Sequence, residues 1–126
     1  MAIIRDAGAL VGTNEETLQE VAAGATYEGA EVDVLGSNSA DGTLHLYVVT
    51  QGAAEGSVDV QLNQRRVSGQ AYKDPSTVLN VPVSTTKQLF KRGYYEVDRY
   101  AQVTVTNNDA SNPVQVAVLY NVVKYS

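Results

Sequence analysis

No cysteine occurs in the 126 residues, which excludes disulfides and thiolate metal sites and leaves the redox compartment open. Tryptophan is absent too, and histidine and phenylalanine occur once each. One histidine and scattered carboxylates cannot supply a tetrahedral zinc site, so no metal cofactor is expected on ligand count. Basic residues are the minority, nine Lys+Arg against fourteen Asp+Glu, for a net charge of −5. A phosphate backbone demands a basic face, so nucleic acid is disfavoured as the main partner. Only Arg65 with Arg66, and Lys87 with Lys91 and Arg92, gather locally. No apolar run approaches the roughly 18 residues of a membrane span. In "MAIIRDAGALVG", Arg5 and Asp6 interrupt an apolar stretch already too short for a secretory h-region. A soluble chain with no membrane partner is expected.

What is present leans toward strand. Hydrophobic residues make up 44% of the chain, Val and Thr are frequent, and eight Tyr and ten Gly punctuate short runs. The length suits one domain, 1–126, burying roughly two-thirds of the surface its unfolded form exposes. Successive short strands separated by turn residues predict an all-β fold, an antiparallel sandwich or barrel. "GTLHLYVVTQ" reads as a strand with Leu44, Leu46 and Val48 inward, and "GSVDVQLNQ" as its hairpin partner with Val58, Val60 and Leu62 inward. "AEVDVLG" is a further strand ending at Gly36. "STVLNVPVS" is another, in which Pro82 removes a ladder donor and predicts an edge or bulge. The chain then closes in a predicted hairpin, about 100–106 with 114–123, around "NNDASNP".

The N-terminal region is a short arm, about 1–12, followed by an ambiguous segment. In "GTNEETLQEVAAG", Thr13 with Glu16 forms a capping box, and Leu18 with Val21 fits a helical stripe, which predicts one short helix. The alternative is a strand from Thr17 to Val21 turning through "AAGAT".

Little of this is reactive. His45 sits mid-strand beside Thr43, Tyr47 and Val49, without a G-x-S-x-G elbow anywhere to supply a nucleophile. "NNDASN" and "SNSADG" cluster oxygen ligands but lack the calcium-loop register, and read as loops bonding their own backbone. Glu15 and Glu16 suit a helix start better than a paired-acid cleft. "LFKRGYYEVDRY" interleaves cations with aromatics, which suits a protein, sugar or single-strand surface, or a loop whose tyrosines pack inward. Catalysis is the weakest class, and no catalytic residue is assigned.

One pattern remains. A sandwich strand shows one face to the core and one to water. Yet Tyr47 and Val49, and Ala117, Leu119 and Val123, place apolar side chains on the second face as well. Several buried aliphatic groups at about 1.5–3 kcal/mol each favour covering that face. Either the N-terminal segment with Ile3, Ile4, Leu10 and Val11 folds back over it, or a partner does.

In order and spacing the chain resembles the small cement (decoration) proteins on the heads of short-tailed phages. The stretches that carry the likeness are "RDAGALV" (5–11), "EVDVLG" (31–36), "LHLYVVTQGAAEGSVDVQLNQ" (44–64), "VPVS" (81–84) and "YAQVTVTNNDASNPVQVAVLYNV" (100–122). "NEETLQEVAAGATYEGA" and "FKRGYY" depart from the family pattern. The resemblance implies a jelly-roll-like sandwich that docks on the capsid exterior and bridges major capsid protein subunits. It also implies self-association as a dimer or trimer and assembly in a bacterial cytoplasm. The contacts expected are Ile3, Ile4 and Arg5 of the arm, outward Tyr47, Leu119 and Val123, and Arg92 and Tyr94 of the basic aromatic stretch. The competing expectation is a carbohydrate-binding or receptor-binding fibre module using tyrosines as sugar platforms, handicapped by the lack of tryptophan.

Overall fold

The computed structural model describes residues 3–37, 41–52, 56–72 and 77–125, with Thr77 and Tyr94 described in their backbone alone. Among these residues, ten strands form two antiparallel sheets packed face to face as a jelly-roll-like β-sandwich. The first sheet has the order β1 (Ile3–Val11), β10 (Val114–Tyr125), β5 (Asp41–Gly52), β8 (Gln88–Glu96), and β2 (Gln19–Val21) pairs with β10 beyond the end of β1. The second has the order β3 (Thr26–Glu28), β9 (Tyr100–Asn107), β6 (Gly56–Arg65), β7 (Thr77–Val83), with β4 (Val32–Asp33) also on β9.

Alternation decides which side chains meet. Leu44, Leu46 and Val48 of β5 and Val114, Val116 and Val118 of β10 project from the first sheet. They pack on Val58, Val60 and Leu62 of β6 and Ala101, Val103 and Val105 of β9. All are buried, as their period of two requires. Pro82 lies on β7, an edge strand, where its missing N–H costs no ladder bond. Its carbonyl accepts a hydrogen bond from buried Thr50 Oγ1 at 2.8 Å, tying the two sheets together.

Several expectations are corrected. Neither predicted hairpin forms: β5 and β6 lie in different sheets, and so do β9 and β10. The period-two pattern identifies a strand but carries no information on its neighbour, and the second of the two connectors, 108–113, carries the chain across the sandwich. In that crossing, Asp109 Oδ1 accepts from the N–H groups of Ser111 and Asn112, and Asn107 N–H₂ donates to Asn112 O at 2.9 Å. No helix forms among the described residues. Asn14 Oδ1 takes the N–H groups of Glu16 and Thr17, at 2.8 and 2.9 Å, and Thr13 N–H turns back to Thr17 O. The donors a helix start leaves open are thereby consumed in a tight bend, and the chain re-enters a sheet as β2, within the alternative strand range. The N-terminal arm is itself a strand, and so is the basic aromatic stretch, as β8.

Candidate functional site

The outer face of the first sheet carries most of the residues singled out from the sequence. Register places Ala9, Leu119, Tyr47 and Lys91 in one row across the strands. Ala7, Asn121 and His45 form the next, and Arg5, Val123, Thr43 and Glu96 the third. An open trough of about 710 Å³ runs over these rows, lined by Arg5, Asp6, Ala7, His45, Tyr47, Lys91, Asn121, Val122 and Val123. Small residues on β1 leave the floor low on that side. Tyr47 and His45 rise from β5, and Asn121 Nδ2 donates to the Tyr47 hydroxyl at 3.4 Å, setting the two polar tips beside each other.

A second hollow adjoins it, sharing Ala7, Tyr47 and Asn121 and reaching Thr13, Asn14, Glu15, Leu89 and Leu119. Its far wall is the segment 12–17, which lies across the apolar end of the face. Gly12 sits where an added Cβ would stand 3.1 Å from that of Ala117. Lys87, at the entrance to β8, donates to Glu15 O at 3.0 Å and pairs with Glu16 at 3.3 Å. This strap covers part of the doubly apolar face: Ala117, against Gly12, is fully buried although it faces away from the core, and so is its cross-strand neighbour Val49. The N-terminal segment does not fold back over them. Leu10 and Val11 enter the core, while Ile3 and Ile4 stay 59% and 41% exposed on the edge strand.

The expected contacts thus divide. Ile3, Arg5, Tyr47, Leu119 and Val123 share the outer face, and three of them line the trough. Ile4 stands on the core-facing side, opposite Lys124. Arg92 is also turned to that side, opposite Leu46, with its guanidinium 5.1 Å from the Phe90 ring centroid. The alternation of β8 puts Arg92 with Phe90, and a bulge at Gly93 then inserts one residue and reverses the alternation beyond it. Tyr94 pairs in register with His45, and its side chain lies outside the described residues. His45, Asn121 and Lys91 were not singled out as contacts, although parity with Tyr47 and Leu119 places the first two on this face.

Asp6 is the one carboxylate lining the trough, and it is held by Lys124 at 3.4 Å. Among the described residues no group of His, Cys, Asp and Glu is close enough to hold a metal ion. Away from the trough, hydrogen bonds shift the titration of Glu31 and Asp33. Glu31 is held below the ordinary range by its hydrogen bond from Arg65, against the opposing effect of burial, with Tyr72 and Ser68 also donating. For Asp33 burial pushes upward, but the hydrogen bonds from Arg99 and the Gly36 N–H outweigh it and lower the value.

No family model matches the chain, and no curated protein matches it. Solved structures do. One described as "BiXyn10A CBM1 APO" superposes with a TM-score of 0.53 at 15% identity, covering 100% of this chain and 91% of that one. The CBM22-1 xylan-binding domain from Paenibacillus barcinonensis Xyn10C gives a TM-score of 0.53 at 10% identity, covering 98% and 83%. A family 16 carbohydrate-binding module gives 0.51 at 12% identity, covering 82% and 75%. At these identities the likeness is one of fold: the chain shares the β-sandwich architecture of carbohydrate-binding modules.

Proposed function

We propose that this chain is a non-catalytic binding module that takes a glycan chain along the outer face of its first sheet. The observation that carries the reading is the trough itself. It is open rather than enclosed, and its lining combines an aromatic ring, an imidazole, a carboxamide and two cationic tips over an apolar floor. A sugar presents hydroxyls at its rim and C–H groups on its ring faces, so it needs both kinds of surface at once. The fold shared with carbohydrate-binding modules supports this reading without assigning a ligand. Glycan-array and calorimetric titration test it: saturable binding lost in Tyr47→Ala and Asn121→Ala, with the melting temperature retained, is the expected result. Binding that survives both substitutions places the ligand elsewhere and sinks the assignment.

A second reading, decoration of a phage head, is favoured by the exposed apolar residues at the rim of the same sheet. Ile3, Ile4 and Leu89 are 59%, 41% and 51% exposed, and among the described residues β1 pairs only with β10. A module that binds only an assembled lattice stabilises it by mass action, and many copies on a symmetric shell need only modest contacts each. Its partners would be coat subunits and further copies of this chain, on the virion exterior. Deleting residues 3–5 should then lower occupancy on purified shells, and unchanged occupancy removes the edge strand from that proposal.

A further inference from the structure

The charge of the trough runs against the charge of the chain. The whole protein carries −5, yet the trough is lined by Arg5 and Lys91 against a single acid, Asp6. That acid is already paired with Lys124. Among the described residues neither Arg5 nor Lys91 makes an ion pair, whereas Arg65, Lys87, Arg99 and Lys124 all do. Glu96 stands in the row of Arg5 but on the far strand, outside the trough lining. In an acidic protein, cations left unpaired on opposite rims of one depression are placed for a ligand's negative charge.

We infer that the ligand is a carboxylate-bearing sugar chain, such as a run of uronic acid residues, lying diagonally from Arg5 to Lys91. This rests on the glycan reading and deepens it. The two cations are three strands and two rows apart, so their Cα atoms are separated by roughly 14 Å across the sheet and roughly 14 Å along it. One sugar carboxylate cannot meet both, but two carboxylates spaced along one chain can. Arg5 offers the planar fork that matches a carboxylate in two parallel hydrogen bonds, while Lys91 acts as a point charge. Between them Tyr47, His45 and Asn121 meet the uncharged parts of the chain.

The test titrates the full chain with hexagalacturonate, uncharged xylohexaose and a short oligothymidylate, each at low and high salt. Hexagalacturonate should bind most tightly, with an affinity that falls as salt rises. Arg5→Gln and Lys91→Gln should each weaken it by about fivefold, the upper end for an exposed ion pair. Both residues are exposed, so the melting temperature of these variants serves as the control for folding. Equal binding of xylohexaose, lost in Tyr47→Ala, overturns the charge assignment while leaving the glycan reading intact. Preference for oligothymidylate, or hexagalacturonate binding unmoved by both glutamine variants, also overturns it. If no sugar chain binds at all, the glycan reading falls and takes this inference with it.

Discussion

The ring of Tyr95 lies over Gly93, two residues earlier on the same strand, and occupies the space a side chain at position 93 would need. Gly93 has φ of 76° and forms the bulge where the pairing of β8 with β5 slips between His45 and Leu46. Two separate demands therefore fall on one residue, a left-handed backbone and an absent Cβ. Gly93→Ala should destabilise the fold by about 1–3 kcal/mol, read from the urea midpoint. Gly24→Ala is the comparison, because Gly24 has φ of 66° with nothing near its missing Cβ. It should cost about 1 kcal/mol, the backbone component alone. Equal losses would mean that the Tyr95 ring moves aside freely.

Asn107 is the joint between β9, β2 and the crossing loop. Its side chain is 1% exposed and donates to Val21 O, Ala22 O and Asn112 O at 3.3, 3.3 and 2.9 Å. Asn107→Ala leaves those carbonyls, that of Val21 in a buried position, without their donor, so a loss of about 1–3 kcal/mol is expected in chemical denaturation. Asn107→Asp should be worse, because it sets a carboxylate against three carbonyl oxygens.

Stability should fall at acid pH through Glu31. Its carboxylate accepts from Arg65 Nε at 2.5 Å, from the Tyr72 hydroxyl at 2.8 Å and from Ser68 Oγ at 3.3 Å. Its folded value therefore lies below the ordinary 4.5. The unfolded chain binds the proton first as pH falls. The contribution is thus complete above the ordinary value and lost as pH drops through the folded one. In melting curves between about pH 6 and pH 2, Glu31→Gln should be less stable at the upper end and should lose less on acidification. Some slope should remain, because Asp33 and Asp109 are lowered in the same direction. An unchanged slope would mean that the Glu31 cluster contributes nothing to acid sensitivity.

Releasing the strap should unmask apolar surface without unfolding the sandwich. Lys87→Ala removes both links to 15–16, and exposed pairs of this kind are worth under about 1 kcal/mol. Amide exchange at 13–17 should accelerate while β5 and β10 stay protected. Acceleration spread through the first sheet would show the strap to be part of the global fold.

How much of this was written legibly in the sequence depends on which question is asked. Strand identity and inward faces followed from alternation: Leu44, Leu46, Val48, Val58, Val60 and Leu62 are all in the core. The predicted sandwich class held, and Pro82 sits on an edge strand. Strand partners did not follow. A hairpin and a crossing between sheets have the same local pattern when the connector is long enough to do either, so β9 and β10 looked adjacent. β8 was read as a surface stretch because its bulge at Gly93 breaks the period, placing Arg92 with Phe90 and Tyr95 on the core-facing side. The short β3 carries too few residues to show a period at all. At the site, Tyr47 and Val123 could be found by parity and Arg5 only as part of the arm, but the trough they share depends on β1 lying beside β10, a contact between strands far apart in sequence.

That last contact has a consequence for how the molecule is made. β10 lies between β1 and β5, with Ile3 beside Tyr125 and Leu44 beside Val122. While the ribosome is still at work, the opening strand has no neighbour and β5 lacks one of its two, so the first sheet waits with its greasy side uncovered. Closure waits until β10 has been made, and a polypeptide stopped short of position 114 cannot complete the first sheet.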